Sequence, residues 1–167
     1  MKSRVSVACV FLLTALFTFS QNSDGMIRTL PLPEMIGQAE YIVIAEVYQI
    51  TKAGYKPDTK LTVVRNELKI IESLKGVLKP DESIFIDTVK GERWLEDNVE
   101  LPLPGSKVFL FLKRNQKGEL FPVNGIQGVW PMKGDELLGM GTGKDLNELR
   151  TMIQKSLSQP LSAPSQQ

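Results

Sequence analysis

The chain has 167 residues, 42% of them hydrophobic and 23% charged, which suits one globular domain with a small appendage rather than two full domains. Twenty basic residues balance 19 acidic ones, for a net charge of +1, so no charge excess points to a nucleic-acid binder or an acidic tail protein. There is no histidine and a single cysteine, which excludes most metal, thiol and Ser-His-Asp chemistry before any motif is read.

Residues 1–20 read as a secretory signal peptide. Lys2 and Arg4 form the basic start, Val5–Phe19 the apolar stretch, and Thr18 and Ser20 the small residues of a cleavage site after Ser20. The apolar stretch is about 15 residues, short of the roughly 20 needed to span a bilayer. The reading is therefore a secreted or periplasmic protein with no stable membrane span after cleavage. Cys9 lies inside the stretch, so the mature protein has no cysteine and rests on its core alone. With residues 1–25 removed, 18 basic and 18 acidic residues remain, which gives nucleic-acid or lipid binding no electrostatic support.

Residues 21–33 read as a polar linker broken by Pro31 and Pro33, and residues 34–39 as one or two helical turns. The first strand is Tyr41–Ile50, apolar on both faces at its start and alternating by Glu46. A turn region with Gly54 and Pro57 follows. Leu61–Leu74 makes a second strand, longer than usual, whose phase switches between Ile70 and Ile71 and predicts a bulge. Ser83–Val89 is the third strand, with Ile84 and Ile86 on one face and Phe85 on the other. A long connection, residues 90–106, leads to a fourth strand at Lys107–Lys113. Asn115–Gly118 signals a hairpin into a strand at Glu119–Val123, and Gly125–Met132 a short edge strand limited by Pro131. Asp145 followed by Glu148 is a capping-box pattern for a helix over 145–157, with Leu146, Leu149, Met152, Ile153 and Leu157 as its apolar stripe. Residues 158–167 read as a disordered tail. The pattern is mainly β: a small five-stranded antiparallel barrel domain over 34–140 with a C-terminal α-helix packed on it.

Ala39-Glu40-Tyr41-Ile42-Val43-Ile44-Ala45-Glu46-Val47, followed by a strand ending in Leu74-Lys75-Gly76, resembles the netrin-module and tissue-inhibitor-of-metalloproteinases superfamily. Lys107-Val108-Phe109-Leu110-Phe111-Leu112 is similar to a later strand of that superfamily, and the likeness covers residues 39–130. The resemblance implies an OB-like barrel and, as one function, protease inhibition. The animal inhibitors work through a disulfide-tethered N-terminal cysteine, which the mature chain lacks, so that mechanism and its residues do not carry over. The likeness is closer to cysteine-free bacterial secreted proteins of this shape.

Weighed one by one, the chemical motifs are weak. Glu92, Glu96, Asp97, Asn98 and Glu100 crowd one loop but lack EF-hand spacing and read as a solvated loop balanced by Lys90 and Arg93. Gly139–Asp145 fails as a phosphate loop: Leu138 and Asp145 stand where Gly and Ser or Thr are needed, so it reads as a flexible glycine linker. Asp87 with Glu92 is a conceivable hydrolytic pair, and Ser73 with Lys75 a conceivable nucleophile and base. Neither outweighs chance in a chain this charged, so no catalytic, cofactor or metal residues are assigned. Both tryptophans fit packing at the barrel ends. Arg93 beside Trp94 in the polar loop nevertheless has the make-up of an interface anchor, and these two are the candidate ligand surface. The expectation is a non-enzymatic binding module for a protein or small ligand of the extracytoplasmic space. A protease inhibitor and a carboxylate-dependent hydrolase stand as alternatives.

Overall fold

A computed structural model describes residues 28–56, 61–90 and 99–158. The expected signal peptide and the expected tail beyond Ser158 lie outside the described residues.

Strand β1 (Tyr41–Lys56) pairs antiparallel with β2 (Leu61–Lys75), and β2 with β3 (Ser83–Lys90). The first six residues of β1 also pair with β4 (Lys107–Arg114). The far edge of β4 takes two partners in turn: β6 (Val129–Lys133) along Lys107–Leu110, and β5 (Leu120–Pro122) along Leu112–Arg114. A single parallel bridge between Ile86 and Leu120 joins β3 to β5 and closes the ring β1-β2-β3-β5-β4. The result is the expected five-stranded barrel. Strand β6 and a short β7 (Glu136–Leu137) extend the sheet beyond it.

The apolar patterning follows from where each strand sits. Val43, Ala45 and Val47 of β1 and Val108, Leu110 and Leu112 of β4 fill the barrel with Leu68, Ile70, Ile84 and Ile86. The alternate residues, Ile42, Ile44, Phe109 and Phe111, point outward into a second core. That core is covered by helix α1 (Leu32–Gln38), β7 and helix α2 (Leu146–Ser158). Both strands are therefore buried on both faces, which is why they read as continuous apolar runs. Strand β3 has water on its outer side and alternates, with Ile84, Ile86 and Thr88 inward and Phe85 and Asp87 outward.

Strands β1 and β2, at 16 and 15 residues, exceed ordinary strand length and slip register four times. One slip leaves Ile71 unpaired between Ile70 and Glu72, at the predicted bulge. Such bulges bend long strands and let them serve two sides of a barrel.

Several boundaries differ from the sequence reading. Thr51–Lys56, expected as turn, continues β1 and pairs with Leu61–Arg65. The expected linker is part of the fold from Arg28 onward. The Leu30 N–H donates to Gln127 Oε1 at 2.9 Å, Gln127 Nε2 donates to the Leu30 carbonyl at 2.6 Å, and Asn124 Nδ2 donates to the Arg28 carbonyl at 2.8 Å. Two side-chain amides thus do the work of a strand partner. Pro33 does not break an element; it sits in the first turn of α1, where a missing N–H costs nothing. Strand β6 is not an edge strand, because β7 pairs with its other side and the Pro131 carbonyl accepts from the Leu138 N–H at 2.8 Å. The Gly139–Lys144 stretch is not a free linker. It makes a 3₁₀ turn at Gly139–Gly141, and Gly141 is buried where a Cβ would come within 2.8 Å of the Trp130 ring.

Asp145 caps α2 as expected: its Oδ1 accepts the N–H groups of Asn147 and Glu148 at 2.9 and 2.8 Å. Leu146, Leu149 and Ile153 are buried, whereas Met152 and Leu157 are exposed, so the apolar stripe is narrower than predicted. Arg150 ties the helix to β2 through a two-pronged pair with Glu72, at 3.1 and 2.6 Å. No described helix is long and apolar enough to cross a membrane.

Candidate functional site

Arg93 and Trp94 lie outside the described residues, as do Glu92, Glu96, Asp97 and Asn98. The described roots of their loop are firmly placed. Lys90 pairs with Glu100 at 3.4 Å, and Val99 is buried in the barrel. The loop ends in a tight turn in which the Ser106 N–H donates to the Leu103 carbonyl at 3.1 Å. Pro104 and Gly105 (φ +86°) occupy its centre, the residues a type II turn requires. Leu103 stands out from this turn at 78% exposure.

The other sequence candidates separate into structural roles. Lys75 Nζ donates to the Ile36 carbonyl at 2.7 Å, at the end of α1, and burial pushes its pKa below the usual lysine value. Ser73 Oγ donates to the backbone carbonyls of Gly76 at 3.2 Å and Lys75 at 3.5 Å, not to the lysine side chain. Both side chains thus hold backbone. Asp87 accepts two hydrogen bonds from Arg65, both at 2.8 Å. That bond, with the charge of Arg65, holds the carboxyl below its ordinary range despite some burial. A general acid needs the opposite shift. Trp130 is not at a barrel end. It lies in the outer core, stacked on Phe109 with centroids 5.5 Å apart and edge-on to Phe111 at 4.8 Å, and its indole N–H donates to the Gln127 carbonyl at 2.8 Å. The bulk of the ring and the buried position of β6 between β4 and β7 put it there.

The feature that sequence reasoning missed is the β3–β5 seam. Past the Ile86–Leu120 bridge the two strands are not paired again. On the β3 side the buried Asn66 of β2 holds the strand: its Nδ2 donates to the Ile86 carbonyl at 2.9 Å and to the Thr88 hydroxyl at 3.0 Å. Two grooves flank the bridge and share Asp87 and Phe121 on their walls. One, of about 410 Å³, runs past Arg65, Phe85 and the Asn115–Gly118 hairpin. The other, of about 420 Å³, opens between Thr88 and Val89 on one side and Phe121 and Pro122 on the other, with Val99 and Lys113 on its walls. Phe85 is 53% exposed at the outer face, and Lys113 Nζ lies 5.2 Å from the centre of the Phe121 ring. A signal was present in the chain: Phe85 is the outward residue of an alternating strand, and Lys113 and Phe121 oppose each other across β4 and β5. Only the parallel contact of β3 with β5 brings them to one place, and no periodicity announces that contact.

No family model matches the chain, and no curated protein matches its sequence.

Proposed function

We propose that this chain is a secreted or periplasmic, non-enzymatic binding module that holds its ligand in the grooves along the β3–β5 seam. The observation that carries the reading is the gap past the Ile86–Leu120 bridge. There a groove with apolar walls, Val89, Val99, Phe121 and Pro122, also carries a few polar groups, Thr88, Asp87 and Lys113. Ligand sites are built this way, mostly apolar with sparse fixed polar groups. Val99, which follows the segment carrying Arg93 and Trp94 in the chain, stands on the wall of the same groove.

An NMR titration of the chain from residue 26 onward with a library of small fragments tests this. Amide shifts clustered at Thr88, Val89, Lys113 and Phe121 are expected. Shifts gathered instead on α2, or nowhere, would refute it.

A second reading, a small protease inhibitor, is favoured by Leu103, an apolar side chain held out on a rigid Pro-Gly turn. Absence of inhibition of a panel of metallo- and serine proteases at micromolar protein would remove it.

A further inference from the structure

We infer that the seam groove lined by Thr88 and Lys113 takes a small organic carboxylate with an apolar body, an inference that rests on the binding-module reading above. The charge balance of the groove points there. Among the described residues its only carboxylate, Asp87, is neutralised by both prongs of Arg65. Among those residues its only ammonium, Lys113, has no carboxylate within ion-pair distance and packs over the Phe121 ring. The described walls of the groove therefore present one uncompensated positive charge.

A second polar group lines the same groove. Thr88 is nine-tenths buried and lines the groove. Its oxygen accepts from Asn66 Nδ2 at 3.0 Å, and its own proton has no acceptor among the described residues. Gln38 and Asn124 also line the groove, but the Gln38 amide donates to Glu34 and the Asn124 amide to the Arg28 carbonyl and Gln127 Oε1. With one ammonium and one hydroxyl donor, the groove suits a singly charged carboxylate. A phosphate dianion, with more charge and three acceptor oxygens, calls for paired cations or a nest of backbone N–H groups. Val89, Val99, Phe121 and Pro122 supply the surface for the apolar body, and about 420 Å³ lies within the range of small-ligand sites. A free aryl or alkyl acid and the C-terminus of a peptide share this chemistry.

The test uses four probes on the chain from residue 26 onward, followed by amide NMR shifts. These are 4-phenylbutyrate, its amide, a tripeptide ending in a free phenylalanine carboxylate, and that peptide's C-terminal amide. At least one acid is expected to shift Thr88, Val89, Lys113 and Phe121 and to bind about tenfold or more tightly than its amide. Lys113→Met, which keeps the apolar stem over Phe121, erases that preference; Lys113→Arg retains it. Thr88→Val weakens the acid several-fold and leaves the amide unchanged. The tighter of the two acids identifies the source. If acids and amides bind the groove equally, the carboxylate assignment fails and the groove reading survives. If no probe shifts the groove, or the shifts lie elsewhere, the assignment falls together with that reading.

Discussion

Replacing Gly76 by alanine tests the packing that ends β2. Gly76 has φ +83°, and a Cβ there would lie 2.5 Å from Tyr41 Cδ1 and 2.8 Å from the Glu40 carbonyl oxygen. The left-handed conformation costs a non-glycine residue about 1–2 kcal/mol. The clash adds about 1–3 kcal/mol, the usual range for overpacking, because neither neighbour yields easily. The Glu40 carbonyl belongs to the backbone, and the Tyr41 hydroxyl is held by Arg114 at 3.0 Å. The expected loss is about 2–5 kcal/mol, a large part of the roughly 5–15 kcal/mol that holds a domain together. With a urea m-value near 2 kcal/mol/M, the unfolding midpoint falls by about 1–2.5 M. Gly105→Ala is the internal control: its φ is +86° but a Cβ there meets nothing within 4 Å, so only the conformational cost applies. The gain from stiffening the unfolded chain is common to both variants and cancels. Urea melts followed by far-ultraviolet circular dichroism measure the difference. Equal losses in the two variants would refute the steric half of the reasoning, and a loss below about 1 kcal/mol at Gly76 would refute both halves.

Three further outcomes are expected. Asn66→Ala leaves the Ile86 carbonyl and the Thr88 hydroxyl without their donor, and should cost about 1–3 kcal/mol and speed amide exchange along β3; unchanged exchange there would mean the seam does not depend on the amide. Asp145→Ala removes the acceptor for two N–H groups of α2 and should cost about 1 kcal/mol, roughly 4 °C in melting temperature. Asp87 has a folded pKa below its unfolded value near 3.9, so its contribution is complete above about pH 5 and is lost as pH falls through the folded pKa. Arg65→Gln should therefore flatten the fall in stability between about pH 4 and pH 2; an unaltered slope would show that the ion pair carries none of it.

The parts of the fold written in local patterns were legible in the chain. Outward Phe85 and inward Ile84 and Ile86, the bulge at Ile70–Ile71 and the Asp145 cap each depend on neighbours a few residues away. The parts that depend on distant partners were not. Leu30 looks like linker because its hydrogen bonds go to Gln127, 97 positions along the chain. Pro131 looks like an edge signal because the strand that covers it, β7, has only two residues. Even there a local cue existed: Gly134 and Asp135 form a two-residue hairpin turn with Gly134 at φ +63°. The candidate site was least legible of all. The candidate ligand surface read from the chain, Arg93 with Trp94, lies outside the described residues, and the weaker motifs Ser73, Lys75 and Asp87 are bound to backbone or to Arg65. The seam groove draws its walls from β3, β4, β5 and the return of the long loop, and no stretch of sequence carries that convergence.

The two-sided burial of β1 and β4 has a consequence for how the chain reaches its folded state. Tyr41 and Leu112 are about 70 residues apart in sequence, yet their strands form the wall that both cores share. Neither core can be completed until that distant pairing is made, so the chain must first close a loop of about 70 residues, a step that slows folding. Until then the unfolded chain exposes two runs, Tyr41–Val47 and Val108–Leu112, that are sticky on every side and able to pair with other copies as readily as with each other. Refolding yield should therefore fall with protein concentration more steeply than native stability alone would suggest. Polar substitutions in these runs, even mild ones, should show in recovery before they show in the melting curve.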